Sequence, residues 1–220
     1  MNETIPPKEE RMTALNGLGS SRKRVEDARF TQGKGNYVDD IKLPGMLFGD
    51  FVRSPYAHAR VKSINTEAAL AVPGVHAVIT AADLEPLKLH WMPTLAGDVQ
   101  MVLADGKVLF QGQEVAFVVA DNRYAADDGI KAVEVEYEEL PVIVDPFKAE
   151  LEGAPVLRED IADKKEGAHG PRRHPNHIFT WESGDRDATE SVLAEADVVA
   201  EEMIYYHRTH PCPLETCGSV

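Results

Sequence analysis

The sequence predicts a mixed α+β fold. Strand-like runs recur from Met46 to Tyr206, short helical segments are interleaved with them, and no internal repeat imposes a regular parallel sheet. A chain of 220 residues with 43% hydrophobic and 27% charged residues is long enough to bury a core.

The elements follow in order. Residues 1–24 are polar, carry Pro6-Pro7 and show no period, so they read as a flexible arm. Asp39-Asp40 and Pro44-Gly45 mark turns before a strand over Met46 to Val52. Ala59 to Ile64 alternates and predicts a half-buried strand. Thr66 is placed to cap a helix over Glu67 to Val72, ended by Pro73-Gly74. Val75 to Thr80 is a β-branched strand, and Asp83 lies in a second short helical turn. Residues 85–106, with Pro86, Pro93, Gly97 and Gly106, read as loop.

Glu114 to Ala120 is almost continuously apolar, as in a strand covered on both faces. Arg123 to Val133 predicts a helix with Ala126, Ile130 and Val133 on one face, in which Gly129 costs about 1 kcal/mol against Ala. Glu134 to Glu138 alternates, with its glutamates toward water. Residues 148–176 are rich in Pro and Gly and poor in apolar residues, which predicts a linker. A strand over His177 to Trp181, a helix from Asp187 to about Ala196 with Glu190 completing a capping box, and a strand over Val198 to Tyr206 complete the reading.

Charge and composition narrow the function. Lys+Arg 23 against Asp+Glu 37 gives a formal charge of −14, which repels a phosphate backbone and argues against nucleic-acid partners. The basic cluster Arg22-Lys23-Arg24 is short and followed by Glu26 and Asp27. The longest apolar run, Val115 to Ala120, is far below the roughly 18 residues of a membrane span. Residues 1–20 lack the apolar stretch of a secretory signal, and two cysteines make no disulfide framework. A cytoplasmic location is expected, the inner face of the membrane included.

Possible chemistry is sparse. His207, His210, Cys212 and Cys217 have the residue types of a zinc site, but two histidines three apart on an extended segment face opposite sides. His174 and His177 straddle a proline in the linker. Gly33 and Gly35 lack the preceding strand and following Lys-Ser/Thr of a phosphate loop and read as tight turns. Gln111-Gly112-Gln113 offers two amides at a point of close backbone approach, as a ligand contact or as a structural turn. Glu134, Glu136 and Glu138 could suggest a cation site but read as a solvated sheet face, and Asp127-Asp128 lies in the helix with one member as a surface charge. The residues alone predict an acidic α+β protein with no self-sufficient active site: no catalytic residue, metal ligand or cofactor contact is assigned.

Three ordered motifs add a resemblance. Arg24-Val25-Glu26-Asp27-Ala28-Arg29-Phe30-Thr31-Gln32-Gly33-Lys34-Gly35-Asn36-Tyr37-Val38-Asp39-Asp40 resembles the opening of the large, molybdenum-binding subunit of the xanthine oxidase family. Arg53-Ser54-Pro55-Tyr56-Ala57-His58-Ala59-Arg60-Val61 resembles that family's Ser-Pro-x-Ala-His-Ala-Arg element. Gly112-Gln113-Glu114-Val115-Ala116, with Glu138-Glu139-Leu140-Pro141 beyond the next helix, resembles its Gly-Gln-x-Val-Ala strand and acidic strand. Leu43 to Phe51, Met92 to Gln100 and Asn176 to Phe179 resemble the family's carbon-monoxide-oxidising branch.

The resemblance implies an α/β hammerhead domain over 25–147, the linker at 148–176, and over 177–220 the truncated start of the domain that binds the molybdenum cofactor. It implies oxidation of carbon monoxide by water. Molybdenum on molybdopterin cytosine dinucleotide, with copper, belongs to the full-length subunit, and none of it is expected on these 220 residues alone. It implies a medium FAD subunit and a small iron–sulfur subunit as partners, with dimerisation of that heterotrimer. The family's copper-binding cysteine lies beyond residue 220, so neither Cys212 nor Cys217 takes that role. Glu215 matches a recurrent family glutamate, for which structural support is the expected role. A related aldehyde or N-heterocycle hydroxylase, a non-catalytic acidic interaction domain and a zinc module are the alternatives.

Overall fold

The structure is a computed structural model that describes residues 23–89, 100–162, 166–167, 170–207, 209–213, 215 and 217–220. Most of the predicted arm and the Met92 to Gln100 element lie outside these residues. The chain divides into two compact units: one holds the described residues of 1–44 together with 203–220, and the other is Gly45–Glu202.

The larger unit is built on two three-stranded antiparallel sheets. In the first, β5 (Glu114–Ala120) runs between β1 (Phe48–Arg53) and β3 (Val75–Thr80). In the second, β2 (Ala59–Asn65) runs between β4 (Lys107–Val108) and β6 (Glu134–Glu139). Short helices α2 (Glu67–Leu70) and α3 (Ala81–Leu84) flank β3, and α4 (Arg123–Ala132) carries the chain from the first sheet to the second.

Burial follows the side-chain period of a strand. Val52, Ala116 and Val118 close one core with Ala69 of α2 and Val133. Ala59, Ala104, Val108 and Val115 close a second, against Tyr56, Val61 and Tyr137. Ile64 and Val135 touch both, so the two sheets share one apolar seam. β5 is not sealed on both faces along its length. Phe117 and Val119 are only half-buried, because the second sheet covers that face at Val115 and does not extend over the rest.

Gly129 explains itself here. A Cβ at this position would stand 2.9 Å from both Val118 and Val75. The glycine lets α4 approach β5 and β3, and that packing outweighs its local helix cost. The predicted stripe of Ala126, Ile130 and Val133 does face the core, and Ala125 and Gly129 widen the buried face of α4 beyond it. A similar close approach occurs at Gly49, where the Phe117 ring occupies the place of a side chain.

Caps refine the reading. Thr66 makes no side-chain cap for α2; Asn65 Oδ1 accepts from Glu67 N–H at 3.1 Å instead. Thr80 and Asp83 form a reciprocal capping box on α3, and the backbone and hydroxyl bonds from Thr80 hold the Asp83 carboxyl below its usual range. Asn122 caps α4 by accepting from Tyr124 and Ala125 N–H, both at 3.0 Å.

Beyond β6 several expectations are corrected. The predicted strands over His177 to Trp181 and Val198 to Tyr206 are not formed. A strand needs a neighbour for its ladder, and none of the described strands runs beside either segment; Trp181, Val198, Ile204 and Tyr206 are exposed. The helix read from Asp187 is α6 (Arg186–Ala194), capped two residues earlier by Asp185, whose Oδ1 accepts from Ala188 N–H at 2.9 Å.

Residues 146–180 hold a 3-10 turn (Pro146–Lys148), α5 (Glu159–Ala162) and a two-residue ladder of β7 (Glu166–Gly167) with β8 (Gly170–Pro171). Side chains bonded to backbone tie this stretch together. Asn176 Nδ2 donates to Ala149 O (2.8 Å) and Pro155 O (2.9 Å), and its Oδ1 accepts from Leu157 N–H (2.9 Å). Arg172 donates to the carbonyls of Ile161, Pro175 and His177. Lys107, from β4, donates to Leu157 O at 2.6 Å and pairs with Glu159, fastening the stretch to the second sheet.

In the smaller unit, α1 (Asp27–Phe30) leads through a tight turn at Gly33 to a stack of Phe30 on Tyr37, ring centroids 5.4 Å apart. A 3-10 turn, Val38–Asp40, follows, with Tyr37 and Asp40 bonded reciprocally.

Candidate functional site

Two of the motifs meet at one end of the first sheet. Arg53 ends β1 opposite Glu114 at the start of β5. Ser54 N–H donates to Gln113 O and Gly112 N–H donates back to Ser54 O, both at 2.9 Å. Arg53 Nη1 donates to Gly112 O (2.9 Å) and to Glu114 Oε1 (2.6 Å). Gly112 sits at φ +86°, in the left-handed region where a side chain is strained.

Gln113, only 5% exposed, turns its amide inward, and its Oε1 accepts from Leu109 N–H at 2.6 Å. Of the two readings of Gln111-Gly112-Gln113, the turn is the one the bonding realises. Ser54 likewise serves its own loop: its Oγ donates to Tyr56 O and accepts from Tyr56 N–H.

His58, 4% exposed, points into the protein at the start of β2. Its Nδ1 lies 2.6 Å from Pro141 O. A carbonyl oxygen accepts only, so Nδ1 carries the proton, and in the neutral ring Nε2 is a bare acceptor. That Nε2 has no protein partner, and the same holds for the hydroxyl of Tyr137. Burial pushes the Tyr137 phenol up, away from ionisation. His58 therefore staples the entrance of β2 to the exit of β6, where Leu140 N–H also donates to His58 O at 2.9 Å.

The remaining candidate residues are dispersed. His210 Nδ1 accepts from Cys212 N–H at 2.9 Å, and the His207 ring packs edge-on against Tyr205. Cys212 and Cys217 are exposed and not joined in a disulfide. His174 Nδ1 accepts from Asn176 N–H, and His177 Nε2 lies 3.0 Å from Thr180 Oγ1. Among the described residues no three His, Cys, Asp or Glu side chains gather as a metal site. On β6, Glu134, Glu136 and Glu138 face outward, toward Asn65, Ser63 and Lys62 of β2. Asp127 pairs with Lys131 on the surface of α4 at 2.6 Å. Glu215 Oε1 accepts from Val38 N–H at 3.0 Å.

This arrangement can brace a sheet and does not assemble a reaction centre. Arg53, Gln113 and His58 each bond backbone and do not reach one another, and Lys107, Arg172 and Asn176 bond the backbone of the stretch beyond β6. A molybdenum–pterin group does not fit the described residues: their buried polar groups are Ser54, His58, Gln113 and His177, and each already serves the chain's own bonds. The free His58 Nε2 is one acceptor, not a donor set.

Comparison with known proteins places the braced sheets in a family. Residues 32–141 match the family described as aldehyde oxidase and xanthine dehydrogenase, a/b hammerhead domain. The chain is 68% identical over 215 residues to the carbon monoxide dehydrogenase large chain of Afipia carboxidovorans, covering 98% of this chain and 27% of that one. It is similar to the reconstituted CO dehydrogenase from Oligotropha carboxidovorans, with TM-score 0.79, 68% identity, and coverage of 96% of this chain and 26% of that one. A structure described as a Cu,Mo-CO dehydrogenase in its carbon monoxide reduced state gives TM-score 0.76 and 69% identity, over 93% of this chain and 26% of that one. The chain thus spans about a quarter of the length of these relatives. Its matched residues include the two motifs that meet around Ser54, Gln113 and His58, and the chain belongs to the aldehyde oxidase and xanthine dehydrogenase hammerhead family.

Proposed function

We propose that this chain is the hammerhead-bearing part of a molybdenum hydroxylase large subunit that oxidises carbon monoxide with water. The reaction is CO + H2O → CO2 + 2 H+ + 2 e−, the electrons passing to subunits that carry FAD and iron–sulfur clusters. The observation that carries the reading is 68% identity over 98% of the chain to a carbon monoxide dehydrogenase large chain. The likeness to a structure described as Cu,Mo-CO dehydrogenase supports molybdenum and copper as the metals of the whole enzyme. A soft Cu(I) centre suits a ligand with no proton to abstract. The pterin is proposed as the cytosine dinucleotide form, and the heterotrimer as dimerising.

In this reading residues 25–147 act as the hammerhead domain and 177–220 open the cofactor-bearing domain. The role of this chain is scaffolding: Arg53, Gln113 and His58 hold the sheet ends, and no proton transfer or metal contact is assigned to a described residue. A cytoplasmic location accords with the implied enzyme, and no helix among the described residues is long and apolar enough to cross a membrane.

The test is dye reduction by the enzyme purified with its partner subunits. Carbon-monoxide-dependent reduction with stoichiometric molybdenum supports the proposal. Turnover of an aldehyde or N-heterocycle without turnover of carbon monoxide overturns the substrate. The 220 residues alone are expected to reduce no dye with carbon monoxide.

A further inference from the structure

The smaller unit joins two stretches of chain that are remote in sequence. Val38 N–H donates to Glu215 Oε1 at 3.0 Å, across 177 positions. The same residue meets the same segment again through its side chain: a Cβ on Gly218 would stand 3.1 Å from Val38 Cγ1. Glu215 and Gly218 thus address one residue, the first with a charge and the second with the space left by a missing side chain.

Val38 opens the 3-10 turn Val38–Asp40. The first N–H groups of a helical turn have no acceptor inside it. Three neighbouring N–H groups are answered within the turn: Tyr37 N–H donates to Asp40 Oδ2 (3.0 Å), Asp40 N–H to Tyr37 O (2.9 Å) and Ile41 N–H to Val38 O (3.2 Å). The Val38 donor is directed to a carboxylate, an acceptor stronger than a neutral oxygen.

We infer that Glu215 is a latch, its carboxylate fastening the Val38 turn at Glu215 and Gly218, so that the stretch before residue 45 folds together with the stretch after residue 202. This inference does not depend on the proposed substrate. It gives Glu215 a conformational role that the sequence left at general structural support.

Hydrogen exchange on the complete large subunit, in its complex, tests it. Glu215→Ala is expected to accelerate exchange of peptides spanning 36–44 by about tenfold, as for loss of one charge-assisted bond near solvent. Peptides from β5 are expected to keep their rates. Glu215→Gln keeps an acceptor oxygen and is expected to restore most of the protection. Val38→Pro removes the N–H at a position where proline's fixed φ suits a helical start, and Tyr37 before it is already extended at φ −96° and ψ 167°. Val38→Pro is expected to loosen residues 209–218, and adding Glu215→Ala to it is expected to loosen them no further. Unchanged exchange of 36–44 in Glu215→Ala overturns the latch. So does equal acceleration in β5, or additivity of the two substitutions.

Discussion

Between Phe48 and Glu139 the chain is held by apolar side chains sealed against two sheets; between Pro146 and Thr180 it is held by side chains that reach for backbone carbonyls. Val115, Val118, Ala116 and Ala59 are fully buried in the first region, and their contribution is burial of apolar area. In the second, Asn176, Arg172 and Lys107 satisfy carbonyls of residues 149, 155, 157, 161, 175 and 177. The first mode is cooperative and blunt, since many atoms share each contact. The second is directional, and one side-chain amide carries several backbone groups at once. A segment with few apolar residues thus gains a defined path without a core of its own.

The largest expected effect lies in the apolar region. Gly129→Val forces a Cβ to within 2.9 Å of Val118 and Val75 and must push α4 off the sheet. A loss of about 3 kcal/mol is expected in chemical denaturation of the subunit. A change below about 0.5 kcal/mol would show that α4 does not pack as described.

Asn176→Ala tests the polar region. It removes three bonds and leaves their backbone partners to water or to nothing. About 2 kcal/mol is expected, confined to residues 149–177 and read as local exchange or protease sensitivity there. If β5 loosened equally, the two regions would be one cooperative body.

Acid separates the regions further. The Lys107 ammonium bonded to Glu159 holds that carboxyl below its usual 4.5, and the Arg173 guanidinium does the same to Glu150. A carboxyl depressed on folding stabilises above its unfolded value, and that contribution is lost as pH falls through the folded value. Protection of 149–177 is therefore expected to decline from about pH 4.5 downward, ahead of β5. Pulse-labelled exchange across pH 3–6 would show the order, and simultaneous loss would count against the ion pairs. The smallest effect is expected at Glu136→Gln on the outer face of β6, within about 0.5 kcal/mol in the same denaturation assay.

These regions differed in how plainly the sequence showed them. β3 and β5 were legible to the residue, because β-branched or continuous apolar runs ended at turn residues. The inward stripe of Ala126, Ile130 and Val133 is legible from its spacing, whereas at Gly129 the sequence shows only a local cost and not the tertiary contact that offsets it. The Val198 to Tyr206 pattern shows that a segment suits a sheet, and it carries no information on whether a neighbouring strand is present. Asp185 and Asp187 are similar acids two residues apart, and only the extended backbone of Asp185, φ −111° and ψ 104°, decides which one caps. The Asn176 web has no period at all, so composition read the region as linker. The meeting of Ser54 with Gln113 required the register of β1 on β5, although the resemblance had marked both motifs.

The strand order of the two sheets bears on how the protein is made. β5 is the middle strand of one sheet and β6 closes the other, yet both follow their partners by tens of residues. As the chain leaves the ribosome at roughly 5–20 residues per second, β1, β2 and β3 emerge with unmatched edges and wait several seconds for partners. Such non-local pairing folds slowly, because loops must close before any ladder forms. Nascent chains shorter than about residue 139 are then the aggregation-prone species, and early chaperone capture is worth most during that interval.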